Sequence, residues 1–582
     1  MSEIQNHLKK GTYVLTFVIS KSVLVACLMI FSQSIHLTAQ TVSDNKVDIY
    51  GDFSLKIADG QKILEQATII DTGNTKVVID YEINSKRINT IYEVDPIKAA
   101  NVTGEQLSKL YKGFVKAGFG TYSSPYGELF YTNLRSKKYQ TGVHLKHLSS
   151  GGQIANVGYS GFSNNELNVF GKSFIKKSTL SGGIDYRRNV VHYYGFNTNP
   201  FDAFWNDSIG NQFSLEREAI KQRYQLVNLE ASLTDNFPVD SHATKYKADI
   251  NYYNYMDNYT AQENYFRAAG DVSFYYKDYD LNAKSSLDYY KHQNDIRESN
   301  MTIFNVQPQI TFHKQKWRLK AGLNLYASSD TTFGFRLAPE VDFDLHLYEN
   351  VIILNVGTDS KLKRNSYRTL TEENPFLITT VDPLNTWSPF RLYGGIRGAL
   401  SSRMSFNLKT SYVKLENQYF FVNDTSTGNW NKLNAVIDNA TLFQVNGEFT
   451  WQQNEKLRLI AKADYFGYTP DTELKAWHVP SLRLSFSGKY NLRNKIAITA
   501  TILTLNRQFS REILTDSLTG NKSVFARELQ GITDINLGAE YRYNKRLGMF
   551  VQLNNILNVR YQRYRDYPTQ RFNLFAGISY SF

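Results

Sequence analysis

Cysteine is almost missing: the 582-residue sequence holds one, Cys27. A disulfide framework is excluded, and so are cysteine-ligated metal and thiol chemistry if the leader that holds Cys27 is removed. Nowhere is there a run of about 20 apolar residues, the length a spanning helix needs. A mean hydropathy of −0.41 excludes a bundle of such helices. It does not exclude a membrane β-barrel, whose strands alternate apolar and polar side chains and so average near or below neutral. No run of five or more basic residues accompanies the net charge of +12. Lys and Arg are scattered at strand-like intervals, which makes a solvated basic surface and no nucleic-acid stripe. No Ser–His–Asp set, phosphate-cradling Gly loop or glycosidase carboxylate pair is justified by spacing. The sequence therefore predicts no enzyme and no cofactor.

What is abundant is aromatic: 40 Tyr and 36 Phe, as the interfacial girdles of a barrel require. At the start, Lys9, Lys10 and Lys21 precede an apolar core from Ser22 to Phe31, and Leu37-Thr38-Ala39 offers a cleavage site. Residues 1–39 read as a secretory signal peptide. A lipoprotein reading of Leu24-Val25-Ala26-Cys27 is disfavoured, because the apolar core runs on through Leu28, Met29, Ile30 and Phe31.

From Gly113 onward the pattern has period two. Met404, Phe406, Leu408 and Tyr412 share one face, against Arg403, Ser405, Asn407, Lys409 and Ser411 on the other. Leu482, Leu484, Phe486 and Tyr490 likewise oppose Ser481, Arg483, Ser485, Ser487 and Lys489. Such alternation is a strand with one apolar face. Short polar turns stand at Lys277–Tyr279, Lys314–Lys316, Tyr348–Asn350, Ser401–Arg403, Asn454–Lys456, Leu492–Asn494 and Asn544–Arg546. Longer connections fall at Gly195–Ala219, Leu362–Trp387, Tyr419–Asn439 and Asn506–Phe525. The fold class predicted is all-β: a large transmembrane antiparallel β-barrel with short periplasmic turns and long external loops. Counting back from a strand at 569–582 to one at 113–121 gives about 22 strands, with 150–164 left as an external loop so that the number stays even.

In the last strand Phe572, Leu574, Ala576, Ile578, Tyr580 and Phe582 form one apolar face, with Phe575 the bulky exception opposite. A terminal aromatic preceded by apolar residues at every second place resembles the signal read by the outer-membrane insertion machinery. The segment Val551-Gln552-Leu553-Asn554-Asn555-Ile556-Leu557-Asn558-Val559-Arg560-Tyr561, then Tyr567-Pro568, is similar to the end of TonB-dependent receptors. At the barrel start Gly118-Phe119-Gly120-Thr121-Tyr122, Glu128-Leu129-Phe130-Tyr131 and Val143-His144-Leu145-Lys146-His147 resemble a short, plugless subgroup of that superfamily. The resemblance implies a receptor-sized barrel in the outer membrane, surrounded by lipid and lipopolysaccharide.

The departure lies at residues 40–112. They read as two or three short strands, at Val47–Lys56, Lys76–Ile83 and Ile88–Val94, with a candidate helix around Thr103–Lys112, too little for the family's plug and without a recognisable TonB box. A barrel of this width encloses a lumen that transporters plug. Inward loops, residues 40–112, or a periplasmic or membrane protein partner must therefore narrow it. Three functions follow: a subunit of a transport, secretion or envelope-assembly complex; a passive channel narrowed by its own loops; or an energised receptor with a reduced plug.

Among chemical candidates, His144 and His147 are three apart, which on a strand points them to opposite faces. Glu340, Asp342, Asp344 and His346 share one face at spacing two and are the candidates for a divalent cation. The plainer reading makes them ordinary lumen-facing polar residues, so no metal is expected. Arg560, Arg563 and Arg565 with Tyr561, Tyr564 and Tyr567 form a basic–aromatic cluster in the last external loop. Rim packing or lipopolysaccharide contact suits its position better than stacking on nucleic acid.

Overall fold

Alternating strands leave a row of unpaired backbone groups at each sheet edge, and closing the sheet on itself removes both edges. The computed structural model does this with 22 antiparallel strands. It describes residues 110–582, apart from Arg135, 197–216, 236–243, Asp278, 330–332, 349–350, 426–430 and 516–520. The expected signal peptide and the expected strands within 40–109 lie outside the described residues. Of the expected helix around Thr103–Lys112, only residues 110–112 are described, and they are not helical.

The wall runs from Gly113–Gly120 to Asn573–Ser581, and these two strands pair from Phe114↔Ser581 to Gly120↔Phe575 to close it. The strand number and the position of every strand follow the alternation in the sequence. Residues 151–161 are non-strand, as the even count requires. One set of side chains, including Phe119, Ile184, Ile250, Phe335, Leu337, Tyr465 and Ile578, is exposed on the outer face. Polar and charged residues alternate with them on the lumen side, the pattern of a wall with lipid outside and water inside.

Three long connections carry structure that alternation did not show. Tyr419–Asn439 is mostly strand: Met404–Asn423 and Leu433–Gln452 are 20 residues each and rise beyond the wall. Asn417 sits at φ 56°, and the register shifts between Leu415 and Gln418. This bulge turns the strand, and Tyr419-Phe420-Phe421-Val422 is buried on both faces, which erases the period-two signal. Asn506–Phe525 contains most of a separate hairpin, Gln508–Thr515 with Lys522–Leu529. Leu362–Trp387 carries a helix, Tyr367–Glu373. Four connections on this rim are also short, at 121–123, 257–261, 294–297 and 330–332, so long and short loops mix there.

The seam is packed around glycine. Phe550 is buried on the lumen side, and its ring lies against Gly118 and Gly577, which pair across the seam. Lys116 Nζ sits 4.1 Å from the centre of that ring. Phe575, the bulky residue on the polar face, packs its ring against Gly120 in the same way.

Candidate functional site: a tyrosine lid over the loop rim

Burial concentrates at the loop rim. Tyr253 and Tyr255 are buried while their neighbours Ile250 and Tyr252 are exposed on the outer face. The buried tyrosines therefore point into the lumen. One hydrophobic core joins Tyr224, Leu226, Tyr253, Tyr255, Tyr265 and Tyr290 of the wall to Tyr367, Leu370, Leu377, Ile378 and Val381 of the 364–385 connection. Tyr419, Phe421, Leu433, Tyr564 and Tyr567 complete it. These residues come from widely separated strands around the wall, and they can meet only by crossing over the mouth.

The helix at the centre begins with a capping box. Ser366 Oγ accepts from Thr369 N–H at 3.2 Å, and Thr369 Oγ1 accepts from Ser366 N–H at 2.8 Å. Tyr367, fully buried, donates its hydroxyl to Asp257 at 2.8 Å and its N–H to Glu263 at 2.7 Å. Tyr253 donates to the other oxygen of Glu263 at 2.6 Å. Burial raises the Asp257 carboxyl above the usual carboxylate range, opposed by bonds from Tyr367 and from the N–H groups of Tyr259 and Ala261. Arg364 pairs with Asp288, which also accepts from Tyr265 at 2.6 Å.

Irregular backbone inside a barrel needs partners for its carbonyls, and tyrosine supplies an apolar ring and a donor together. Tyr193 donates to Leu377 O at 2.8 Å, Tyr224 to Pro375 O at 2.9 Å and Tyr564 to Glu373 O at 2.9 Å. Tyr567 stacks on Phe376 with ring centres 3.8 Å apart and donates to Asn431 O. Exchange of Tyr367 for Phe leaves the ring but strips a donor from buried Asp257. It is expected to cost about 1–3 kcal/mol of local stability. Hydrogen exchange over 366–374 should then quicken while the wall strands are unchanged.

A second core backs the lid, with Phe420, Val422 and Ala440 packed on Trp477. Beside Trp477, His478 is buried: its Nδ1–H donates to Phe421 O at 2.8 Å and its Nε2 accepts from Arg565 N–H at 3.2 Å. Desolvation, helped by the nearby Arg565 charge, pushes its pKa down to about 4 from 6.5. The folded state thus holds His478 neutral where the opened state would take a proton. Stability from this group is complete above pH 6.5 and is lost as pH falls toward 4, up to about 3 kcal/mol in all. Protease nicking within 471–481 should rise on acidification from pH 7 to pH 5, and His478→Phe should flatten that dependence.

The candidate cation row faces the lumen at the other end of the wall. Asp344 meets Arg318 at 2.5 Å and Arg397 at 3.0 Å; Glu340 meets Lys320 at 2.8 Å. Asp342 accepts from Tyr393 at 2.7 Å and Asn355 at 2.9 Å. The three carboxylates thus face cations and amides from neighbouring strands, and His346 also has a partner. Among the described residues no group of three or more His, Cys, Asp or Glu is arranged to hold a metal ion. His144 and His147 have separate partners, Glu128 and Asn165.

In the last loop Tyr561 bonds Asp534 at 2.9 Å, Tyr564 and Tyr567 are buried in the lid, and Arg565 pairs with Glu512 at 3.1 Å. The aromatic rings are turned inward. The Asn-Asn-Ile-Leu-Asn run shapes this loop. Asn555 and Asn558 adopt φ 49° and 55°, and Asn555 Nδ2 donates to Val559 O and Gln570 O at 2.8 and 3.1 Å.

No family model and no curated protein matches the sequence. Solved structures match the barrel. The FrpB iron transporter of Neisseria meningitidis aligns with a TM-score of 0.63 at 10% identity, over 82% of each chain. The pyoverdine outer-membrane receptor FpvA of Pseudomonas aeruginosa PAO1 gives 0.59 at 13%, over 82% of this chain and 79% of that one. The ferric-catecholate import receptor Fiu of E. coli K12 gives 0.59 at 9%, over 81% and 82%. At such identities the likeness is one of fold, and these neighbours are transport receptors. With its closed 22-stranded wall and apolar outer face, the chain has the transmembrane β-barrel fold of these outer-membrane receptors.

Proposed function

We propose that the chain is a non-enzymatic, receptor-like barrel without a folded plug, working as a subunit of a larger outer-membrane complex for transport, secretion or envelope assembly. One observation carries this reading: loops of the barrel itself meet in a buried core over the external mouth. The barrier that a plug supplies elsewhere is then made by the wall's own connections. Below the lid the lumen presents ionised side chains such as Lys284, Arg318, Arg397, Glu448 and Lys462. A polar periplasmic partner fits such a surface, while lipid and lipopolysaccharide surround the wall.

The same lid gives specific support to a second reading, a passive channel that its own loops narrow. Two measurements on the chain extracted gently from its native membrane separate them. Stoichiometric periplasmic or membrane proteins in the mass spectrum, with an electrically silent bilayer, support the complex subunit. A chain that purifies alone and conducts steadily supports the channel and removes the first reading.

Delivery to the membrane rests, on this proposal, on the apolar face of Phe572, Leu574, Ala576, Ile578, Tyr580 and Phe582, which is exposed along the last strand. Phe582 also lays its ring on Gly113 at the seam. Phe582→Ser is expected to lower the amount of folded barrel several-fold, seen as loss of the heat-modifiable band on gels.

A further inference from the structure

A cavity of about 370 Å3 opens beside the lid, within the range of about 300–1,000 Å3 typical of small-molecule pockets. It lies among the 151–161 connection, the end of strand Ser178–His192, and the loop that precedes the last strand. It is independent of the acidic row and of the complex-subunit reading.

Three lining groups have a polar atom that is buried and without a partner among the described residues: His192 Nε2, Asp534 Oδ1 and Asn573 Oδ1. His192 is 2% exposed and Asn573 9%. All three atoms are acceptors. His192 Nδ1 lies 2.6 Å from Gly161 O; a carbonyl only accepts, so Nδ1 carries the proton and Nε2 presents its lone pair. Asp534 uses Oδ2 to accept from Tyr561 at 2.9 Å and keeps Oδ1 for the cavity. The Gln570 amide, which could have donated, is committed to Ser150 Oγ and Gly152 O at 2.8 and 3.1 Å. A buried acceptor without a donor forfeits its hydration uncompensated, and three on one cavity define what would relieve them.

The walls between these acceptors are apolar and aromatic: Phe162, Val191, Tyr194, Phe376 and Tyr561. Arg571 also lines the cavity, and Arg217 and Lys221 lie near enough to act on His192 as cations, so the surroundings disfavour a cationic ligand. We propose that this cavity binds a neutral, hydroxyl-rich ligand, a sugar residue. Its hydroxyls donate to His192, Asp534 and Asn573, and its less polar face lies against the aromatic wall. The residue can come from a free saccharide or from a lipopolysaccharide headgroup, since both carry the same donors.

The test uses the full chain in a detergent with no sugar headgroup, and trehalose as the probe. Calorimetry and saturation-transfer NMR are expected to show saturable binding to the wild type. Fully O-methylated trehalose, which keeps the ring skeleton and the acceptor oxygens but has no hydroxyl donors, is expected not to bind. Asn573→Leu and His192→Phe, each checked for a heat-modifiable barrel, are expected to weaken binding on the order of ten-fold. Displacement of trehalose by purified lipopolysaccharide assigns the site to the headgroup; binding undisturbed by it assigns the site to free saccharide. Absence of saturable trehalose binding to the wild type overturns the proposal. So does equal binding of the methylated sugar, a comparison that needs no variant to fold.

Discussion

Replacing residues 366–383 by two glycines is expected to turn a silent barrel into a steady pore. The excision suits the local geometry: Asn365 Nδ2 donates to Leu384 O and to Thr386 Oγ1, both at 2.8 Å, and Lys363 pairs with Thr386 in the wall. The ends of the removed segment are thus already tied, and the two strands can be joined without strain on the ladder. What disappears is the middle of the lid, with Tyr367, Leu370, Leu377, Ile378 and Val381. Tyr224, Tyr255 and Tyr265 then line an open mouth, and a 22-stranded wall is wide enough to pass water and ions. Steady single-channel steps should appear where the intact chain shows none, and cells should admit a large hydrophilic antibiotic. A shortened chain that stays silent would show that the barrier lies elsewhere.

The second large effect is expected at the seam. A Cβ on Gly577 would stand 2.1 Å from Ala117 O, 2.6 Å from Gly118 Cα and 2.6 Å from the Phe550 ring. Two of these neighbours are backbone of the first strand, so no rotamer change makes room. Gly577→Val should prevent the first and last strands from closing and should leave two bare edges in the membrane, where unpaired backbone groups cost several kcal/mol each. The folded band should vanish from unheated gels, with degradation of the chain in cells. Gly171 is the control: its Cβ would meet nothing nearer than 3.8 Å, and Gly171→Ala should assemble normally.

The wall was legible in the sequence because its physics is local. One face of each strand meets lipid, the other water, and residues such as Leu482 to Tyr490 state this without reference to any neighbour. The lid was not legible because its members are alike in sequence and differ only in partner. Tyr252 and Tyr253 are adjacent, yet one is exposed on the outer face and the other is buried against Glu263. Nothing in the alternation separates a girdle tyrosine from one that holds a loop carbonyl. The extended hairpin at 419–439 is hidden for a related reason: burial on both faces leaves an apolar run without alternation. At Glu340, Asp342 and Asp344 spacing located the shared face, but Arg318, Lys320 and Arg397 meet them only through the register of neighbouring strands. The Asn555 and Asn558 run could be matched as a motif, while its work of holding two left-handed residues in a loop belongs to the geometry.

The lid also sets the order in which the barrel is made. Its bonds join residues far apart along the chain, such as Tyr193 with Leu377, Tyr567 with Asn431, and Gln570 with Ser150 across the seam. Such contacts carry the highest loop-closure entropy and gain nothing until the strands that bear them are in place. On the proposed reading, sealing is therefore expected last, after the first and last strands have met. If the lid is the barrier, each newly inserted molecule would leak until its loops meet, and slowing loop closure should make cells transiently permeable.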